Sequence, residues 1–97
     1  MNYESPNIGR YCIIRARDAG VHAGTVRGVD GRSVLLEKAR RIWRWKGAFT
    51  LSELSLTGPA EGSRIAAEVA TIEILDACEI ILCSEEARIR IKETPNG

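Results

Sequence analysis

Hydrophobic and polar residues alternate along residues 11–17, YCIIRAR. Cys12, Ile14 and Ala16 fall on one side and Tyr11, Ile13, Arg15 and Arg17 on the other, the period-two mark of a strand. Asp18-Ala19-Gly20 is turn material, and Val21-His22-Ala23-Gly24 leads into a second strand over residues 24–29. Asp30-Gly31 follows, a strong hairpin signal that calls for positive φ at both central positions. The returning strand covers residues 33–38, and residues 39–45 continue extended. There Arg41, Trp43 and Trp45 share one face, with Arg40, Ile42 and Arg44 on the other. Aromatic residues recurring at two positions argue against a helix.

The period then changes. Thr50 and Glu53 make a T-x-x-E capping box, Phe49 and Leu54 are spaced for a hydrophobic staple, and Gly58-Pro59 supplies the stop. A helix of about two turns cannot stand alone, so Phe49, Leu51 and Leu54 are expected to pack on the sheet. Residues 59–63 form a surface loop, residues 64–70 and 71–75 are extended with a phase change near Ala70, and residues 77–83 make a further strand. Ser84 with Glu85 and Glu86 reads as the start of a short C-terminal helix, although Ile89 and Ile91 alternate as a strand would. The expected fold is mainly β (β-rich α+β). It is a small bent antiparallel sheet or partial barrel of about five to seven short strands, with one capped helix after the fourth. Residues 1–8 are expected to be a flexible lead-in, 9–93 the single domain and 94–97 a frayed tail.

Length agrees with one domain, since 97 residues form a thin core that oligomerisation would help. No apolar run approaches the ~20 residues of a membrane span. Residues 1–10 lack the apolar stretch of a signal peptide, so a cytoplasmic setting and no membrane partner are expected. Net charge is +1, but its distribution is lopsided. Residues 10–46 carry ten Lys/Arg against three acids, a net of +7; from Gly47 onward four basic residues face nine acids, a net of −5. Either the halves neutralise each other within one fold, or the basic one meets an anion or the acidic half of another subunit. Cys12, Cys78 and Cys83 are an odd set expected to stay as free thiols, and with His22 the lone histidine no compact metal-ligand spacing exists. No metal or cofactor is expected.

Nor does any paired-carboxylate spacing, nucleophile elbow or phosphate-cradling glycine loop point to an enzyme. The informative stretch is RRIWRWKG, residues 40–47. Indole faces stack on bases and guanidinium forks match phosphate oxygens. Tryptophans under arginines are also ordinary anchors of a small core. The candidate ligand-binding residues are Arg15, His22, Arg40, Arg41, Trp43, Arg44, Trp45 and Lys46, with no catalytic residue among them. Gly20 and Gly24, bracketing His22, suit either a turn and a bulge or a close backbone approach to a ligand.

Three segments carry a resemblance: GxYCIIR at residues 9–15, AGVHAGT at 19–25 and ARRIWxWxGAxTLxEL at 39–54. Together with EILDACEIILC at 73–83, they resemble a family of small uncharacterised proteins encoded in tailed bacteriophage and prophage genomes. That resemblance implies a genomic setting and no mechanism. Small phage proteins that are neither enzymes nor virion parts often act on the host, one class by sequestering immune nucleotides. The leading expectation is therefore a non-enzymatic homo-oligomer binding a small phosphate-bearing, nucleotide-like ligand. A structural, assembly or host-takeover component that binds protein is the alternative. A single-stranded nucleic-acid binder is a third, disfavoured by the near-neutral net charge.

Overall fold

The computed structural model describes residues 5–97. Its core rests on one strand whose two faces are both covered. β1 (Tyr11–Ala16) alternates as its sequence demands, yet every residue except Arg15 is buried. Cys12, Ile14 and Ala16 enter one hydrophobic cluster with Val26, Val34, Leu36, Ala39 and Ile74. Tyr11 and Ile13 enter a second with Ala23, Ile42, Leu54, Ile65 and Ile91. The first cluster fills the concave side of the bent sheet, and the second lies under the helices.

β2 (Gly20–Asp30) is longer than the sequence pattern suggests, and β3 (Ser33–Arg44) joins into one strand the two extended stretches expected over residues 33–45. The segment around His22 and the RRIWR run are both ladder strand, with His22 opposite Arg41 and Ala23 opposite Arg40. The hairpin between them is closed by Asp30 opposite Ser33, so the central turn residues are Gly31 and Arg32, one step beyond the expected Asp-Gly. Only Gly31 of that pair takes positive φ (58°), so glycine is needed at the first central position and arginine is tolerated at the second.

α1 (Leu51–Thr57) starts where the capping box puts it: Thr50 Oγ1 accepts from Glu53 N at 3.1 Å. The reciprocal bond goes one residue earlier than in the standard box, from Phe49 N to Glu53 Oε2 at 3.1 Å. No staple forms. Phe49 is 96% exposed, because that backbone bond turns its side chain away from buried Leu54. β4 (Arg64–Ile65) is a two-residue strand, and β5 (Val69–Ile74), β6 (Ala77–Leu82) and α2 (Glu85–Glu93) complete the chain. The alternation of Ile89 and Ile91 yields to the helix because Ser84 caps it, accepting from Ala87 N at 3.0 Å, while Ala87 and Ile91 share its buried face.

The six-stranded antiparallel sheet runs β4-β3-β2-β1-β6, with β5 also on β3. Its margins β5 and β6 are consecutive in the chain. They meet at the Leu75–Asp76 corner, which Ala77 N and Asp76 tie to the carbonyl and guanidinium of Arg32 at 2.8 and 3.4 Å. The sheet is therefore open and strongly bent.

One irregularity governs which residues reach which cluster. Lys38 sits at φ 51°, and the β2–β3 register slips between Ala23 and Thr25. Residues 34, 36, 40 and 42 would share a face on a regular strand. The bulge sends Val34 and Leu36 to the concave cluster and Arg40 and Ile42 to the helix-covered one.

Of the expected flexible lead-in, residues 1–4 lie outside the described part. Asn7–Arg10 are anchored to β2 through Gly9 N to Val26 O (2.7 Å) and Val26 N to Arg10 O (2.9 Å). The expected frayed tail is also held. Asn96 forms a parallel bridge with Ile65, and Gly97 N donates to Ile65 O at 2.9 Å. Among the described residues, no helix is long and apolar enough to cross a membrane.

Candidate functional site

The last turn of β3 brings an aromatic ring and several cations to one end of the sheet. Beyond the Lys38 bulge, Arg40 and Ile42 point under the helices while Trp43 and Arg44 stay exposed. β4 pairs here, with Ile42 opposite Ile65 and Arg44 opposite Arg64. Like charges directly opposite on antiparallel strands repel, and among the described residues neither arginine has a carboxylate within ion-pair distance. Lys46 adjoins them. Its backbone N–H donates to Ser63 Oγ at 2.9 Å, its carbonyl accepts from Ala60 N at 2.9 Å, and its side chain runs over Gly62. Trp43 is 55% exposed and its Nε1–H donates to Gly97 O at 3.1 Å. Beside this end, an open groove runs between residues 59–64 and residues 93–97, with Arg64 and Arg90 among its lining.

Arg40 has a different role. It is 4% exposed, and every one of its N–H groups meets an oxygen. Nε donates to Ala66 O at 2.9 Å; Nη1 to Ile91 O and Thr94 O at 2.6 and 2.8 Å; Nη2 to Ile65 O and Asn96 Oδ1 at 3.2 and 3.1 Å. A guanidinium offers five donors, so none is left for an external phosphate while this arrangement stands. No carboxylate balances the charge among the described residues; dipoles do, including the carbonyl end of α2.

The other expected ligand residues divide. Trp43, Arg44 and Lys46 stand together, and Arg64, which sequence reasoning did not single out, joins them. Trp45 is half-buried and packs on the helix-covered cluster. Arg41 is exposed on β3 beside His22. Arg15 lies on β1, opposite Glu79 of β6 and 3.6 Å from its carboxylate. His22 is fully buried with neither ring nitrogen hydrogen-bonded within the described residues, and burial, then the Arg41 charge, holds its pKa below the ordinary value. It donates to no surface ligand. Tyr11 is likewise buried under the helices, its phenol pushed well up by that burial.

The glycines around His22 serve the backbone. Gly20 opens β2, and a Cβ on Gly24 would lie 2.9 Å from Glu37 O and 3.1 Å from Ala39 Cα, so Gly24 is what lets β3 bulge against β2. Burial pushes the Cys12 thiol up to about 11 and the Cys83 thiol to about 12, whereas Cys78 is exposed. A second groove, lined by Ile8, Val29, Val34, Cys78 and Ile80, lies by the β2–β3 hairpin and includes none of the expected ligand residues.

A family model described as a domain of unknown function, DUF6948, matches residues 9–91. The chain belongs to this family. The DUF6948 match spans β1 through Ile91 of α2, so it contains Arg40, Trp43, Arg44 and Arg64 and stops short of residues 94–97. The comparison with curated proteins and the comparison with solved structures each return no match.

Proposed function

We propose that this chain is a non-catalytic binding protein for a small phosphate-bearing, nucleotide-like ligand, held at the β3–β4 end of the sheet. The observation that carries the reading is the Arg44–Arg64 pair, two opposed cations with no carboxylate at ion-pair distance among the described residues, beside a half-exposed indole. An anion between them turns a repulsion into two charge-assisted contacts. Lys46 adds a third positive group, and the Trp43 face stacks a base, a contact worth roughly 1–3 kcal/mol. Arg15, His22 and Arg40 have no part in this surface. The phage or prophage setting implied by the sequence resemblance makes a host signalling nucleotide the first ligand to screen.

Assembly into a homo-oligomer belongs to the same reading. The outer edges of β5 (VATIEI) and β6 (ACEIIL) pair with no described strand, and neither strand carries the Lys or Pro that commonly protects such edges.

Calorimetry and thermal shift with ADP, a cyclic dinucleotide and inorganic pyrophosphate test the ligand. The nucleotides should raise the melting temperature. The double variant Arg44→Ala/Arg64→Ala should abolish the rise while retaining the circular dichroism spectrum, and Trp43→Ala should weaken ADP more than pyrophosphate. Absence of a shift with any of the three at millimolar concentration rejects the reading.

A protein-binding role is favoured by one observation, the nearly complete exposure of Phe49 on the loop before α1. Light scattering of the wild-type chain and of Phe49→Ser reads that role, since loss of an assembly in the variant assigns the loop to a protein contact.

A further inference from the structure

Among the described residues, Arg40 is a buried cation answered only by neutral oxygens. Three of its partners, Ile65 O, Ala66 O and Ile91 O, belong to the body of the domain. The remaining strong contacts, Thr94 O and Asn96 Oδ1, come from the short segment after α2. The same segment takes the Trp43 indole N–H on Gly97 O and pairs with Ile65. Pro95, Asn96 and Gly97 are themselves exposed, and an added Cβ on Gly97 would lie 3.5 Å from Arg64 Nη1. Residues 94–97 thus lie as a thin strap over the buried Arg40 guanidinium, and two exposed groups suited to an anion, the Trp43 indole N–H and the Arg64 guanidinium, stand at its margin. Arg90 lines the groove alongside them.

We propose that residues 94–97 are a displaceable strap over a deeper anion site formed by Arg40, Trp43, Arg64 and Arg90, and that a phosphate-class anion takes the place of the strap's oxygens. The driving force is electrostatic. Hydrogen bonds from a guanidinium to an ionised oxygen are about twice as strong as neutral ones, and a buried charge facing dipoles alone gains most from a true counter-ion. The held strap reduces apparent affinity to the intrinsic value multiplied by the fraction of chains in which it is open, so loosening it strengthens binding. For its ligand class the proposal rests on the reading above, but it concerns a separate event, the release of the strap.

The test is calorimetric titration with inorganic pyrophosphate at fixed ionic strength, on the full chain, a chain ending at Glu93, Asn96→Ala and Pro95→Gly, the last loosening the strap's backbone without touching a group of the anion site. Removal of the strap should tighten pyrophosphate binding at least tenfold and each point variant several-fold. Saturating pyrophosphate should also release the Gly97 amide of the full chain to hydrogen exchange. Where the shortened chain fails to fold, the two full-length variants and the exchange measurement decide. Equal affinity across all folded variants, with Gly97 still protected, overturns the strap and leaves the Arg44–Arg64 surface standing. Binding that emerges only when the strap is loosened supports the strap and rejects that surface as the primary site.

Discussion

Replacing Arg40 with alanine should be the most damaging single change on the sheet. The substitution removes the shared donor of Ile65 O, Ala66 O, Ile91 O, Thr94 O and Asn96 Oδ1. Not all of these pay the full penalty. Ile65 O keeps the Gly97 N–H, and the oxygens on half-buried Thr94 and exposed Asn96 reach water once the strap loosens. The loss falls mainly on Ala66 O and Ile91 O, at about 1–3 kcal/mol for each buried acceptor left unmatched. Relief of a desolvated charge returns part of this. A net loss of about 3 kcal/mol is expected, at the lower end of the range for breaking a buried charged network. Against a total of about 5–15 kcal/mol for a domain, that is large. Urea unfolding read by tryptophan fluorescence measures it. Arg40→Lys, which keeps the charge but offers three donors instead of five, should recover roughly half of the loss. Hydrogen exchange should show the end of α2 and residues 94–97 opening first. A loss under about 1 kcal/mol, the worth of one ordinary hydrogen bond, would refute the view that this guanidinium holds strand, helix and strap together.

Acid should weaken the fold through His22. Its folded pKa lies below the ordinary value because it is buried and then because Arg41 is near, so the unfolded chain binds the proton first. Stability should fall as pH drops below about 6.5 and level off below the folded pKa; His22→Leu should flatten that slope, and an NMR titration placing His22 at or above 6.5 sinks the argument. Gly24→Ala should cost about 1–3 kcal/mol in urea unfolding, the usual penalty of overpacking, because the added Cβ meets backbone at 2.9 and 3.1 Å; an unchanged midpoint would mean the bulge moves freely. Cys78 should be alkylated in the native protein while Cys12 and Cys83, raised to about 11 and 12, react only on unfolding, as mass spectrometry of a timed iodoacetamide reaction would read. Phe49→Ser should change stability by no more than about 0.5 kcal/mol, as for an exposed position; a larger loss would mean that Phe49 packs after all.

Local signals were legible where chemistry and geometry lie within a few residues. The alternation of β1, the Thr50 cap, the Gly58 stop and the Ser84 cap all stand where the residue types put them. The hairpin was legible to one residue, because Asp-Gly fits several turns and only the pairing of Asp30 with Ser33 selects among them. Phe49 was misplaced for a similar reason. A staple and a backbone bond to Glu53 draw on the same spacing, and sequence does not say which one the loop adopts.

The site was only half legible, and the reasons are two irregularities in β3, one at Lys38 and one between Ile42 and Arg44. Read as a regular strand, residues 40–45 place Arg40, Ile42 and Arg44 on one face and Arg41, Trp43 and Trp45 on the other, as though Arg40 and Arg44 shared one surface. The bulge at Lys38 breaks the parity. It sends Arg40 beneath the helices, where residues distant in sequence, Ala66, Ile91, Thr94 and Asn96, surround it, and a second register shift, between Ile42 and Arg44, leaves Arg44 outside opposite Arg64. A lysine at positive φ is uncommon, and nothing in the local pattern announces it. The strain is tolerated because Gly24, across the ladder, has no Cβ to obstruct Glu37 and Ala39. The separation of a structural arginine from exposed ones, and with it the distinction between holding the fold and meeting an anion, therefore depends on backbone irregularities, at Lys38 and between Ile42 and Arg44, that carry neither function.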